Sequence, residues 1–407
     1  MDGPPSKRAR FTPLATLGPA QTLTVTAQAD LQDVPAEVDT VTLTTPLADP
    51  SVINTLPFVT TLRVNNREFG RRNGFSEAFV DALTTNSTLE TLDLSHSGLP
   101  KDAGLAITRA LGSNTTLTSL TLQEFDASLM FENADGLGEA VAAALARNTT
   151  LTTLNLSKLY GNGNVVVVAD TLGSNTTLTS LDISNDWIGD AAAVAFAGAL
   201  ARNTSLMSLD ISANQLEDGA GFAFANALEI NTTLTELNIA HNILREAAGA
   251  AVAAALARNS TLTSLNISWN HLGSGLAGGG GGVAFADALE RNTTLTELNI
   301  KGNSFENDVG MAFAGALERN STLTSLDISS NYLLRNGVGV AFADALERNT
   351  TLVELNLKST SISQPVLDNI REKLAGREPP YIPYTGPYVK AAVAATLRAN
   401  AQFWGGP

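Results

Sequence analysis

Two aspartates, Asp182 and Asp210, occupy the same position of a pattern that repeats through the sequence. If their strands are neighbours in a parallel sheet, the two residues lie about 5 Å apart across it. Paired carboxylates can act as general acid and base where a pocket and a further polar group join them. The sequence shows neither, so we predict a solvated polar ladder without a catalytic role.

The chain offers few other reactive groups. None of its 407 residues is cysteine, which excludes disulfides, thiolate metal ligands and cysteine nucleophiles, and its three histidines are isolated from one another. The glycine run at 274–282 lacks the Lys-Ser/Thr pair of a phosphate-binding loop. We therefore expect no metal and no cofactor, and we classify the protein as non-enzymatic.

Bulky side chains interrupt a pattern of small residues just after the predicted strands. They are Trp187, Gln215, His241, Trp269, His271 and Tyr332. Interface anchors favour tryptophan, tyrosine and arginine. We predict that this edge, together with Asp182 and Asp210 on the adjoining strand face, contacts a partner. The alternative is that these side chains only shield neighbouring backbone.

An asparagine followed by two hydroxyl residues and a leucine recurs ten times. It stands at Asn86, Asn114, Asn148, Asn175, Asn203, Asn231, Asn259, Asn292, Asn320 and Asn349, at spacings of 27 to 34 residues. Asn-X-Ser/Thr is also the acceptor sequence for N-linked sugars. The fixed repeat position, in a chain that shows no signal-peptide pattern, favours a structural corner. We expect this asparagine to end a helix in the left-handed conformation that it tolerates.

The rest of each repeat predicts one strand and one helix. A short stretch after the asparagine alternates as a strand does, and an alanine-rich stretch follows with helical spacing. A large apolar residue stands seven positions before each asparagine, and in most repeats a leucine stands three before it. Pairs such as Phe196 with Leu200 are four residues apart, so they lie on one helix face and predict a helix packed on the strand layer.

This pattern resembles the leucine-rich repeat family in its longer, ribonuclease-inhibitor-like form of about 28 residues per unit. The stretches LMSLDISANQL (206–216) and LTSLNISWNHL (262–272) carry the resemblance most clearly. It implies an α/β solenoid, a horseshoe with parallel strands on the concave face and helices on the convex face. It also implies that a second column, Asn214, Asn242, Asn270, Asn303 and Asn331, is buried after the strand and binds backbone groups. Earlier repeats carry Ser97, Phe125, Leu159 and Asp186 there, so we expect less regular turns in them.

The sequence divides into four segments on this basis. Residues 1–20 are basic and proline-rich, 21–85 hold shorter echoes of the repeat and the first repeat, 86–376 hold the leucine-rich repeats, and 377–407 form a C-terminal cap or tail. We expect the echoes to cap the N-terminal end of the core, a helix at 363–376 to close the stack, and the tail to fold over the last coil. An exposed peptide ligand is the alternative for the tail, and a nuclear-import signal is one interpretation of PPSKRARF.

Charge and hydropathy limit the class of partner. The net charge of −15 opposes nucleic-acid binding, since phosphate affinity depends on clustered Lys and Arg. No apolar run reaches the roughly 18 residues that a membrane-spanning helix needs. We therefore expect a soluble protein that binds a protein partner.

The alanine-rich helices, with Gly-Ala-Leu-Ala at 198–201 and AGALERN at 314–320, resemble the GALA-type effectors that plant-associated bacteria deliver into host cells by type III secretion. The resemblance implies a protein secreted into the host cytoplasm, or also the nucleus, that binds a host protein. GALA-type effectors carry an F-box, and residues 1–60 show no convincing helical pattern for one. An adaptor that links a target to a ubiquitin ligase is the alternative function.

Overall fold

The computed structural model describes residues 21–25, 34, 38–43, 54, 58–64, 77–95, 97–98, 101–123, 136–158, 165–273 and 280–377. Over these ranges the chain forms one 13-stranded sheet in which the strands follow sequence order. Neighbouring strands are parallel, and a helix separates each pair of successive strands from β3 onward. This is the leucine-rich repeat solenoid that the repeat pattern predicts.

The strands and helices alternate with short connections. The strands are β1 (Gln21–Val25), β2 (Val38–Leu43), β3 (Thr61–Val64), β4 (Thr91–Asp93), β5 (Ser119–Thr121), β6 (Thr153–Asn155), β7 (Ser180–Asp182), β8 (Ser208–Asp210), β9 (Glu236–Asn238), β10 (Ser264–Asn266), β11 (Glu297–Asn299), β12 (Ser325–Asp327) and β13 (Glu354–Asn356). The helices are α1 (Glu77–Thr85), α2 (Lys101–Leu111), α3 (Leu137–Leu145), α4 (Val165–Leu172), α5 (Asp190–Leu200), α6 (Asp218–Ile230), α7 (Glu246–Leu256), α8 (Gly280–Leu289), α9 (Asn307–Leu317), α10 (Asn336–Ala345) and α11 (Gln364–Leu374).

The core lies between the strand layer and the helix layer, as the apolar columns predict. Phe196, Phe224 and Leu228 are fully buried on their helices, and Leu209 and Ile211 are buried on the strand side. The same positions are buried in successive coils, so each coil extends one continuous core. Stacking of this kind stabilises a repeat that cannot bury its apolar face alone.

The asparagine at the end of each helix forms a corner, but in a different conformation from the one we expected. Asn231 has φ −72° and ψ 133°, which is extended, so the left-handed prediction is wrong. Its Nδ2 donates to the carbonyl oxygens of Leu200 and Asn203 in the preceding coil, and its Oδ1 accepts the N–H groups of Thr233 and Leu234. An extended backbone turns the side chain inward, where its amide binds both coils.

The left-handed conformation occurs instead after the strand. Ala213, His241, Trp269 and Gly302 have φ between 53° and 66°, each one residue before an asparagine of the second column. That asparagine is buried, as predicted: Asn214 donates to Ile183 O and accepts the N–H of Ile188 in the preceding coil. Earlier repeats depart from this arrangement. Ser97 leaves a buried hydroxyl without a partner, and Phe125 and Leu159 lie outside the described residues.

Both ends of the stack continue the same sheet. Strands β1, β2 and β3 extend it at the N-terminal end, where the sequence shows shorter echoes of the repeat. At the other end α11 spans the predicted closing helix, with Pro365 in its first turn. The basic N-terminal segment 1–20, most of the glycine run and the tail beyond residue 377 lie outside the described residues.

Candidate functional site

The concave face of the sheet brings the two predicted carboxylates together. Asp182 of β7 lies directly opposite Asp210 of β8 in the parallel register. Asn155 Nδ2 donates to Asp182 Oδ2 at 2.8 Å, and Asn238 Nδ2 donates to Asp210 Oδ2 at 2.8 Å. The N–H of Ser184 donates to Asp182 Oδ1 at 3.0 Å. The pair therefore sits at the centre of a four-strand hydrogen-bonded row.

Burial raises the pKa of Asp182 above its usual value, and the neighbouring Asp210 charge raises it further. Hydrogen bonds from Ser184 and Asn155 oppose this shift because they favour the ionised carboxylate. Both oxygens of Asp182 already accept hydrogen bonds from the protein. This arrangement fixes the carboxylate to the sheet as part of a row of hydrogen-bonded polar side chains.

A second acidic column lies at the first position of alternate strands. Glu236, Glu297 and Glu354 begin β9, β11 and β13, with Ser264 and Ser325 between them in register. Partial loss of hydration inside the sheet raises the pKa of Glu297, although its side chain keeps an exposed surface, and the Glu236 and Glu354 charges raise it further. We call Asp182, Asp210, Glu236, Glu297 and Glu354 the acidic face.

Strand alternation places the three glutamates on the concave surface, but the site predicted from the sequence does not include them. Their one signal is the alternation of Glu and Ser at one repeat position from β9 to β13. The register turns this alternation into a row of like charges two strands apart. Successive strands lie about 5 Å apart, so the charges are roughly 10 Å from one another.

The bulky residues of the predicted contact edge flank the second-column position, which is Asp186 beside Trp187 and a buried asparagine beside the others. The Trp269 side chain packs against residues of the neighbouring coils. Its ring stacks on His241 with centroids 5.7 Å apart, and Lys301 Nζ lies 5.7 Å from it. On the following coil, a Cβ at Gly302 would come within 2.7 Å of the indole. Trp269 thus packs between residues of the coils before and after its own, and 39% of its surface remains exposed.

Trp187 and Tyr332 stand further out, with 59% and 63% of their surfaces exposed. They lie just after the turn, in the same column as Gln215 and His271, which are also exposed. The backbone of this column is fixed: the N–H of Gln215 donates to Ile188 O at 2.9 Å and that of His271 to Leu244 O at 2.8 Å. We call Trp187, Gln215, His241, Trp269, His271 and Tyr332 the aromatic edge.

The structure therefore places the predicted site residues on two adjoining surfaces, the acidic face and the aromatic edge. His241 contributes a titratable group at the edge, and burial followed by the Lys301 charge lowers its pKa. Within the described ranges, no three His, Asp or Glu side chains are grouped to hold a metal ion. No helix in the same ranges is long and apolar enough to span a bilayer.

Comparison with known proteins identifies the repeat. The Leucine Rich repeat family matches residues 85–107, 174–197, 202–225, 231–244, 258–275, 291–314 and 319–333. No curated protein matches the chain. The seven segments extend from the last residue of α1 to the turn after β12, with gaps between them that contain β5, α3, β6, α4, α7 and α8.

Among solved structures, an internalin (inlF) from Listeria monocytogenes is 20% identical, with a TM-score of 0.48; the match covers 86% of this chain and 82% of that one. The structure described as leiomodin-1 actin-binding site 2 is 28% identical, with a TM-score of 0.33. That match covers 37% of this chain and 86% of the other.

Proposed function

We propose that this chain, whose fold is a leucine-rich repeat solenoid, binds a protein partner through the aromatic edge and the adjoining acidic face. The observation that carries the proposal is the exposure of Trp187 and Tyr332 on a rigid edge. Large aromatic side chains that remain exposed beside a polar surface are typical interface anchors. The N–H groups of the residues on either side of Trp187 donate to Asn214 Oδ1 of the next coil, and the carbonyl oxygen of Tyr332 accepts the Ser361 hydroxyl, so binding costs little ordering of this edge.

The charge of the acidic face favours a basic partner. Burial raises the pKa values of Glu297 and Asp182, and the like charges of Glu236 and Glu354 around Glu297 and of Asp210 opposite Asp182 raise them further. A Lys or Arg side chain brought among these carboxylates relieves that repulsion. Complementary charge mainly increases the association rate and selects the partner. We expect the contact surface of the partner to carry basic side chains beside an apolar patch.

The aromatic edge is tested by truncating its most exposed side chains. Trp187→Ala and Tyr332→Ala should each weaken partner binding by about 1–2 kcal/mol, measured by titration calorimetry with a partner captured from lysate. Phe222→Ala and Met311→Ala are matched controls, because these residues are 44% and 50% exposed on helices α6 and α9. Equal effects of all four substitutions would show that the edge is not the contact surface.

The acidic face is tested separately through charge. The double change Glu297→Gln and Glu354→Gln should slow association with the captured partner several-fold at low salt and make the rate less dependent on salt. Stopped-flow or surface-binding kinetics from 20 to 300 mM NaCl measures both effects. Glu290→Gln and Glu318→Gln remove the same charge from ion pairs elsewhere on the molecule. If these controls slow association as much, net charge rather than the face is responsible.

We also propose that the protein acts as a secreted bacterial effector whose partner is a host protein. The support is the resemblance of its alanine-rich helices to GALA-type effectors. A translocation reporter fused to the C terminus tests this: the signal should enter host cells from secreting bacteria and be lost in a type III secretion mutant. Equal delivery from the mutant would contradict the proposal.

The adaptor alternative depends on residues 1–60, most of which lie outside the described residues. It predicts co-purification of ubiquitin-ligase subunits with the full chain and their loss when residues 1–60 are deleted. Recruitment that survives this deletion would remove the alternative.

A further inference from the structure

The ten asparagines at the helix corners all lie in Asn-X-Ser/Thr sequences, which N-glycosylation enzymes recognise. Glycan transfer needs the side-chain Nδ2 of each asparagine. An Nδ2–H bond breaks, Nδ2 bonds to C1 of the sugar, and the C1–O bond to a lipid-linked pyrophosphate breaks. The lipid pyrophosphate and the proton then leave. The accessibility of Nδ2 therefore decides whether these sequences can be modified.

In the folded chain Nδ2 is committed to the neighbouring coil. Asn292 Nδ2 donates to Leu256 O at 2.7 Å and to Asn259 O at 3.1 Å. Its Oδ1 accepts the N–H of Thr294 at 2.9 Å and that of Leu295 at 2.7 Å. A glycosylated amide keeps only one hydrogen, and the sugar would occupy the place of the preceding coil.

The other corners repeat this geometry. From Asn114 to Asn349, each Nδ2 donates at 2.7–3.0 Å to a leucine carbonyl oxygen near the end of the helix in the preceding coil. All ten asparagines are 3–8% exposed. Attached glycans are bulky and hydrophilic and belong on protein surfaces. One glycan at any of these corners therefore separates two coils and exposes their core.

We infer that the ten corner asparagines are closed to N-glycosylation in the folded protein, and that a glycan on any of them blocks folding. The chain can consequently fold only where it does not meet an oligosaccharyltransferase before its coils have stacked. The same sequence that closes each corner is an acceptor while the chain is unfolded. This constraint concerns the folding compartment and is independent of the partner proposed above.

Two further acceptor sequences lie elsewhere and must be removed before the test. Asn155-Leu-Ser157 and Asn266-Ile-Ser268 are on the concave face, where both asparagines are half-buried. The double change Ser157→Ala and Ser268→Ala eliminates these two acceptors and leaves all ten corners. Urea unfolding of this background protein, produced in bacteria, establishes that it folds as the wild type does.

The first experiment treats the folded background protein, carrying an Asn-Gly-Thr tag after Pro407, with an oligosaccharyltransferase and a lipid-linked oligosaccharide. Mass spectrometry should show one glycan, on the tag. Transfer to any corner asparagine of protein that keeps its native circular dichroism would overturn the inference. The tag reports that the enzyme is active.

The second experiment directs the same protein through the secretory pathway of a eukaryotic cell by an added signal peptide, with and without tunicamycin. Molecules that bear a corner glycan should be digested at protease concentrations that leave unglycosylated molecules intact. Equal resistance of molecules with a corner glycan would overturn the inference. Modification of the tag alone would support closure of the folded corners, because folding would then outrun transfer.

A matched pair resolves one corner. Thr294→Val removes the acceptor at Asn292, while Thr293→Val keeps it, and both change a threonine in the same turn. In secreting cells, only Thr294→Val should lack the glycan at Asn292. Both variants should fold equally well when made in bacteria, and a folding defect confined to Thr294→Val there would assign the effect to its side chain.

Discussion

Single side chains on the concave face interact with residues at the same position of the adjacent coils. Asp182 has a like charge opposite it in Asp210, whereas Asp93 at the equivalent position lies between Arg63 and Thr121. Like charges directly opposite each other on neighbouring strands are destabilising. The same repeat position therefore contributes differently to the free energy of folding in different coils.

The raised pKa of Asp182 gives a stability effect with a definite sign. The folded state binds this proton more tightly than the unfolded state, so the free energy of unfolding falls as pH rises from the usual aspartate range through the raised pKa. Asp210→Asn removes the opposing charge and lowers the pKa of Asp182. We expect this variant to gain about 0.2–1 kcal/mol at pH 7 and to gain nothing at pH 3.

Urea unfolding across this pH range, with NMR titration of the Asp182 carboxyl group, measures both effects. Asn238, Asn266 and Asn299 occupy the same position on adjacent strands, so the sheet accommodates neighbouring amides. Asp93→Asn is the control, because it removes no like-charged pair. An equal gain in the control would attribute the effect to asparagine itself.

At the scale of elements, Arg377 caps the last coil that the structure describes. Its guanidinium donates to Leu346 O at 2.7 Å and to Asn349 O and Leu352 O at 2.9 Å. In earlier coils, the carbonyl oxygens equivalent to Leu346 O and Asn349 O accept hydrogen bonds from the corner asparagine of the coil that follows. One arginine after α11 thus replaces the missing corner.

We expect Arg377→Ala to destabilise the β13–α11 unit by about 1–3 kcal/mol, because three buried or half-buried carbonyls lose their donor. Hydrogen exchange should accelerate in β13 and α11 while β7 to β9 stay protected. Arg371→Ala removes an exposed ion pair with Asp368 from the same helix and should change little. Equal exchange in the two variants would rule out the capping role.

Two helix glycines illustrate the opposite faces of the helix layer. Gly198 on α5 has open space where a Cβ would stand, whereas a Cβ at Gly221 on α6 would lie 2.6 Å from the Cβ of Ala248 on α7. Gly198→Ala should therefore stabilise the protein by about 0.5–1 kcal/mol through helix propensity. Gly221→Ala should destabilise it by about 1–3 kcal/mol through overpacking. Unfolding midpoints in urea distinguish these results, and a loss in Gly198→Ala would indicate an occupied outer face.

At the scale of the whole molecule, the solenoid separates three kinds of surface. The concave sheet carries carboxylates and amides, the edge after the strands carries aromatic rings, and the helix layer exposes scattered apolar residues such as Val194, Phe222 and Met311. A partner can contact the first two together because they adjoin along the strand ends. The stack itself depends on contacts between adjacent coils, as expected of a repeat protein.

Part of the candidate site was predictable and part was not. Alternation along a strand decides which side chains face the concave surface, so the positions of Asp182, Asp210 and the glutamates followed from the repeat. The packing of Trp269 did not, because its neighbours His241 and Lys301 come from the coils before and after it. The exposure of Trp187 likewise depends on how far its ring stands from adjacent coils.

The sequence by itself determined the strand-and-helix unit, its core columns and the sheet order, because periodicity fixes side-chain direction locally and each coil must bury its apolar face on the next. Only the tertiary structure decided that Asn231 is extended, that the left-handed residue precedes Asn214, and that Arg377 closes the last corner. These outcomes depend on which carbonyl and N–H groups of an adjacent coil need a partner. That requirement exists only once the coils are stacked.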